Sequence, residues 1–442
     1  MQILQDGQEV KTVSSNMVVT VETFLGGGGQ GEVYRAALDG KQVALKWYFP
    51  AQATPEQRSS LEVLVAKGAP TARFLWPIEL TESPDVHGFG YIMPLRDPRY
   101  KSIVDLMKRR VEPSFRALIT AGLQLSDSFL DLHAAGLCYR DISFGNVFFE
   151  PNTGEVLICD NDNVTVDKQG KASVLGTPRF MAPEIVRGEA LPSSDTDLYS
   201  LAVLLFYMLM VHHPLEGKRE LEIKCLDLPA MNQLYGTDPL FIFDPIDDSN
   251  RPVRPYHSNA LDFWPLYPAF LRDLFTQSFT EGLTDPVHGR VRESEWRAAM
   301  ARLLDSIFYC PHEHCGVENF YDVDRLRTTG GHVGSCWSCG NRLILPPRIR
   351  VNDMVVMLNQ DTRLYPHHID DDRRYDYSDP VAEVARHPKD PSIWGLRNLS
   401  DEKWTVTVDG GQTFQDIEPT RSVTLREGMV INFGKEEGEV RT

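Results

Sequence analysis

Tyr139-Arg140-Asp141-Ile142-Ser143-Phe144-Gly145-Asn146 is the stretch on which the reading of this chain turns. Two motifs precede it and two follow, and their order decides the fold. Upstream, Leu25-Gly26-Gly27-Gly28-Gly29-Gln30-Gly31-Glu32-Val33 lies between strand-like runs, and a further strand carries Val43-Ala44-Leu45-Lys46. Downstream come Ile158-Cys159-Asp160-Asn161-Asp162 and then Gly176-Thr177-Pro178-Arg179-Phe180-Met181-Ala182-Pro183-Glu184. Phosphates carry dense negative charge, and backbone free of side chains approaches them closely and donates N–H groups. By itself the glycine run reads equally well as a hairpin turn. Lys46 adds to it. A lysine on an apolar strand is costly to bury unpaired, and phosphates together with a helix carboxylate would supply its anion. The alternative is that Lys46 snorkels to solvent. The next helix starts at Thr54-Pro55-Glu56-Gln57, with Thr54 as N-cap, Pro55 first in the helix and Gln57 at the capping-box position. Leu61, Leu64 and Val65 give it an apolar face. Glu62 is the expected partner of Lys46, while Glu56 in the first turn points elsewhere.

Taken in order, these motifs resemble the Hanks-type Ser/Thr protein kinase family over about residues 18–305. The resemblance implies ATP and Mg²⁺ as cofactors. Lys46 would hold the α- and β-phosphates and pair with Glu62. Asp141 would accept the proton of the substrate hydroxyl, and Asn146 and Asp160 would hold Mg²⁺. Leu25, Gly26, Gly28, Gly31, Val33 and Ala44 would line the nucleotide site. Tyr91-Ile92-Met93-Pro94 resembles the hinge, with Met93 as gatekeeper, the Pro94 carbonyl and the Arg96 N–H facing adenine. Arg140 would face an activation-segment phosphate, Glu184 would pair with Arg290 rather than the nearby Arg292, and Asp197 would brace the catalytic loop. Thr165, Ser173 and Thr177 are the candidate phosphosites, with a solvated-loop role favoured for Thr165 and a substrate-platform contact open for Thr177.

Two departures from the pattern stand out. Ser143 occupies the place of the lysine that steadies the γ-phosphate, and Asp160-Asn161-Asp162 replaces Asp-Phe-Gly. The metal ligand is kept, but the packing aromatic and the flexible glycine are lost, so flipping of this triplet as a switch is not expected. A pseudokinase scaffold that binds nucleotide and partners is the alternative to an active enzyme.

The remaining sequence bounds this reading. The chain has 442 residues and a formal net charge of −17, which argues against nucleic acid or an anionic membrane surface as the main partner. No signal-peptide pattern opens the sequence, and the longest apolar run, Leu198–Val211, is too short to span a bilayer. Seven cysteines and no leader point to a reducing, cytoplasmic setting. Cys310 and Cys315 precede the Cys336-x-x-Cys339-Gly pair, a spacing suited to structural Zn²⁺, with His312, His314 or His332 as possible substitutes. Cys138, Cys159 and Cys225 are expected to be buried small hydrophobes. Residues 236–265 read as a long ordered loop, and 349–442 as all-β, with a turn at Asp409-Gly410-Gly411 and a half-buried strand through Trp404, Val406 and Val408. Gly428–Gly434 and Trp394–Ser400 resemble a forkhead-associated (FHA) β-sandwich.

The fold class is therefore α+β. A two-lobed kinase domain, 1–305, has its N-lobe to about 95 and C-lobe over 96–305. A zinc-ribbon-like segment, 306–347, and an FHA-like β-sandwich, 348–442, follow. This combination resembles bacterial kinases of the tellurite-resistance-associated phosphorylation triad. That resemblance implies a von Willebrand A-type protein and a PP2C-type phosphatase as partners, and autophosphorylation beside transfer to protein substrates.

Overall fold

The computed structural model describes residues 2–168, 175–387, 389–408 and 412–442. Ser173 and the turn at Asp409–Gly411 lie outside the described residues. The chain divides into two compact units, Met1–Leu261 with Leu274–Arg297, and Asp262–Asp273 with Ala298–Thr442. The second unit takes in both the segment expected as a ribbon and the β region. No described helix is long and apolar enough to cross a membrane.

The first unit opens with six strands: β1 Glu9–Thr12, β2 Val18–Gly27, β3 Gly31–Leu38, β4 Lys41–Tyr48, β5 Glu79–Glu82 and β6 Gly90–Pro94. They close into an antiparallel barrel in the order β1-β2-β3-β4-β6-β5. Asp39 and Gly40, both at positive φ, make the two-residue turn between β3 and β4, the conformation that hairpin twist demands. Alternation along the strands sends Val19, Val21, Tyr34, Ala36, Leu45 and Trp47 into one core. Ala44, Tyr48, Tyr91 and Met93 pack on the other face against Leu61 of helix α1. That helix runs over Pro55–Lys67, and the Thr54 hydroxyl caps it by accepting from the Gln57 N–H, as its sequence predicts.

Two longer helices, α2 Phe115–Ala134 and α3 Ser194–Met210, carry the rest of this unit. Helix α3 is buried from Thr196 to Met210, as a helix that is apolar all round must be. Between them, strands β7 Val147–Phe149 and β8 Val156–Ile158 pair antiparallel with Val147 opposite Ile158, which sets the loop bearing Asp141 and the Asp160 triplet side by side, the Cys159 N–H donating to the Asn146 carbonyl. Within 236–265 the chain is mostly irregular, as expected, but it closes with a short helix at Ser258–Phe263.

In the second unit, Ile307–Tyr309 pairs with Glu318–Phe320, a hairpin whose connection carries Cys310 and Cys315, and Cys336 and Cys339 follow it. Beyond them lie a six-stranded and a four-stranded sheet. Their shared core is built on Ile349, Leu358, Leu396, Trp404, Ile431 and Val440. Trp404 and Val406 point inward as predicted, but the strand ends at Thr407 and Val408 is exposed.

Candidate active site

The loop bearing Asp141 is fixed from below. Asp197 near the start of α3 accepts from the backbone N–H of Tyr139 (2.5 Å) and Arg140 (2.9 Å). These bonds hold Arg140 at φ 72°, a conformation that costs a non-glycine residue energy. His133 of α2 bonds Asp197 through Nε2 and Glu293 through Nδ1. Burial pulls the His133 pKa down, but the two carboxylates outweigh it and carry it up to about 9. Asp141 itself is neighboured by neutral donors. Thr177 Oγ1 donates to Oδ1 at 2.7 Å, and Asn146 Nδ2 donates to Oδ2 at 3.0 Å. Burial raises the Asp141 pKa, against the lowering by these hydrogen bonds. Using its amide N–H on Asp141 leaves the Asn146 carboxamide oxygen for a cation.

Lys46 sits at the heart of the cleft with its side chain 6% exposed. Its ammonium lies 2.9 and 2.8 Å from the two oxygens of Asp162 and 3.4 Å from Asp160 Oδ1. Asp162 also accepts from the Tyr48 hydroxyl at 2.5 Å. Gln57 of α1 donates to Tyr48 Oη at 3.1 Å and to the Asp162 carbonyl at 3.4 Å. From the glycine loop, Gln30 accepts from Lys46 at 3.3 Å and donates to Asn163 at 3.0 Å. Burial alone would raise the Asp162 pKa. The Lys46 charge and the hydrogen bonds of Lys46 and Tyr48 overcome it and hold the group below the ordinary aspartate value. Asp160, held in the left-handed region at φ 49°, has its pKa raised, chiefly by burial.

The expected partner of Lys46 is corrected here. Glu62 is 55% exposed and pairs with Arg58 at 3.1 Å. Helical phase is the reason. Gln57, Leu61 and Leu64 stand at i, i+4 and i+7 and form the inner face, so Glu62 is turned outward. The other expected residues fall as follows. A Cβ at Gly26 or Gly28 would meet nothing within 4 Å, which leaves the backbone open to a ligand, whereas one at Gly31 would lie 2.2 Å from the Trp47 carbonyl. Gly31 is therefore required by packing. Leu25 is half exposed. Val33 stands opposite Lys46, and Ala44 opposite Met93; Ala44 and Met93 are both buried. Pro94 is exposed at the end of β6. The Arg96 guanidinium lies over the Phe148 ring at 4.1 Å and donates to the Tyr100 carbonyl. Glu184 pairs with buried Arg290 at 2.8 Å. The oxygen donors Asn146 and Asp160 suit a hard divalent cation, and the open glycines with Lys46 suit phosphates. Sequence reasoning missed Asp162, Tyr48, Gln57 and Gln30. The carboxylate standing where a flexible glycine was expected was the available signal.

In the second unit the four cysteine sulfurs lie within 4.8 Å of one another. Cys310–Cys339 is 3.7 Å and Cys315–Cys336 is 3.8 Å, too long for disulfides. His312 is turned to the Arg342 carbonyl, and among the described residues this cluster holds no histidine. Of the three cysteines outside this cluster only Cys138 is buried as expected; Cys159 is half-buried and Cys225 exposed. Asp305, His367 and His368 form another buried group. His368 Nδ1 accepts from the Tyr365 N–H and His367 Nδ1 from the Tyr375 N–H. Each neutral ring therefore carries its proton on Nε2, the reverse of a metal-bound imidazole. The group is a His368–Asp305 hydrogen bond (3.1 Å) beside a histidine whose pKa burial lowers to about 4.

Comparison with known proteins agrees with this geometry. A family model described as a protein kinase domain matches residues 19–264. The chain is 23% identical over 382 residues to protein kinase YegI of Escherichia coli, covering 76% of this chain and 56% of that protein. It is 29% identical over 204 residues to the DNA damage-responsive serine/threonine-protein kinase RqkA of Deinococcus radiodurans, covering 44% and 30%. It is 30% identical over 124 residues to the cell cycle serine/threonine-protein kinase CDC5/MSD2 of Saccharomyces cerevisiae, covering 26% and 17%. The chain thus spans little more than half the length of these relatives at most.

Proposed function

The chain belongs to the protein kinase family, and on that premise we propose that it transfers the γ-phosphate of Mg-ATP to serine or threonine side chains of proteins, its own among them. The observation that carries this reading is the Asp141 carboxylate, held between the Thr177 hydroxyl and the Asn146 amide on the loop braced by Asp197. A half-buried carboxylate whose pKa burial raises, and whose hydrogen bonds from Thr177 and Asn146 come from neutral donors, is suited to take a proton from an alcohol. Lys46 holds the α- and β-phosphates, and Asn146 and Asp160 hold Mg²⁺, which neutralises charge on the phosphates when bound. Arg290 on Glu184 fixes the segment that receives the substrate peptide. Ser143 in place of a lysine at the γ-phosphate predicts a slow enzyme.

The test is phosphate transfer from labelled ATP with Mg²⁺ by the purified full chain, to itself and to a generic basic protein, beside Asp141→Asn. Transfer to Ser/Thr that falls at least about a hundredfold in the variant is expected. No transfer by the wild type, or equal transfer by the variant, contradicts the reading.

The cysteine cluster is read as a structural zinc site. Its 3.7 and 3.8 Å separations equal the edge, about 3.8 Å, of a tetrahedron with Zn–S near 2.3 Å. Metal analysis is expected to give one zinc per chain, lost in Cys336→Ser; less than one zinc with all four thiols reduced contradicts it. By resemblance, the β region is an FHA-like docking module, the enzyme works in the cytoplasm, and its partners are a von Willebrand A-type protein and a PP2C-type phosphatase.

A further inference from the structure

We infer that Asp162 is the positioning residue for Lys46, the carboxylate that aims this lysine at the nucleotide phosphates in place of a glutamate on α1. The inference rests on the kinase reading and deepens it. Both oxygens of Asp162 face the ammonium, at 2.9 and 2.8 Å, and its side chain is wholly buried. A lysine buried this deeply needs a charged partner, and Glu62 is outside the cleft on Arg58. The same carboxylate takes the Tyr48 hydroxyl, and Gln57 closes over both. One buried group thus gathers β4, α1 and the triplet after β8.

The ammonium has three N–H donors. Its two shortest contacts go to Asp162. Its longer contacts go to Asp160, whose carboxylate is 42% exposed, at 3.4 Å and to Gln30 at 3.3 Å. A phosphate oxygen takes the place of the neutral Gln30 amide without disturbing Asp162. The pair itself joins a strand to the segment that holds the metal ligand, with α1 touching it only through Gln57 on the Tyr48 hydroxyl and the Asp162 carbonyl. Asp162 is also the third residue of the triplet. Turning the triplet over would strand Lys46, which ties phosphate binding to a fixed setting of Asp160.

The experiment measures KM for ATP, kcat and melting temperature on the full chain for wild type, Asp162→Asn, Tyr48→Phe and Glu62→Gln. The expected result is a rise of at least tenfold in ATP KM for D162N, exceeding its change in kcat. Y48F, which loosens the carboxylate without stranding a charge, is expected to raise KM threefold or more with a near-normal melting temperature. E62Q stays within threefold of wild type. A purely structural role would lower the melting temperature and leave the KM of the folded enzyme unchanged. Wild-type KM in D162N overturns the inference, as does a rise in E62Q equal to that in D162N. Where D162N does not fold, wild-type KM in Y48F overturns it. Absence of transfer by the wild type would sink the kinase reading, whereas transfer with an unmoved KM sinks only this inference.

Discussion

Asp141, half-buried, and Asp162, fully buried, are aspartates of one cleft, and their surroundings drive them in opposite directions. Asp141 is held by a hydroxyl and an amide, so burial dominates and its pKa rises. Asp162 faces an ammonium and a phenol, which overcome burial, and its pKa falls. The first is a group that can take a proton during turnover. The second stays charged and serves as an electrostatic anchor. Residue type and cleft are the same although Asp162 lies deeper, and the neighbours assign the role. Asp197 is a third case, with His133 held as its counterion.

The harshest way to break this contrast is to remove the cation. Lys46→Met leaves Asp162 buried and unpaired, and should cost about 3–5 kcal/mol of stability, measured by denaturant unfolding. Lys46→Met with Asp162→Asn should recover most of that stability while transfer stays lost. A next probe is His133. Its folded pKa lies above its unfolded value, so its contribution is complete below about pH 6.5 and fades as pH rises through about 9. Wild-type unfolding should weaken over that window by at most about 3 kcal/mol, and His133→Gln should flatten the slope. The two cleft aspartates also separate by pH without mutation. As pH falls, Asp141 takes up its proton above the ordinary aspartate value of 3.8, while Asp162 remains ionised. A pH–rate profile should therefore show kcat falling on the acid side at a pH above the ordinary aspartate value. The smallest effect is expected at Glu62, where Gln should change stability by no more than about 0.5 kcal/mol.

The motifs around Asp141, Asp160 and Glu184 were legible because their chemistry fixes residue type at fixed spacing. The cap at Thr54 was legible for the same local reason. The partner of Lys46 was misread because a carboxylate was sought on α1 by analogy, although the phase of Leu61 and Leu64 already put Gln57 on the inner face. Asp162 was noticed as a lost glycine and not as a gained charge. Its role depends on Tyr48, which is 114 positions away in sequence, and no local pattern reports that. In the β region, alternation found the strand at Trp404, but assigning ten strands to two sheets depends on pairings between distant segments, such as Arg348–Val351 with Glu437–Arg441.

The most direct test of the account sets Asp141→Asn and Asp162→Asn side by side in steady-state transfer from Mg-ATP to a protein substrate. The account predicts that they fail in different parameters. D141N loses kcat by about a hundredfold or more with ATP KM within about threefold of wild type, and D162N raises ATP KM by about tenfold or more, about 1.4 kcal/mol of binding per tenfold. The same parameter moving in both variants, or neither variant differing from wild type, would contradict it.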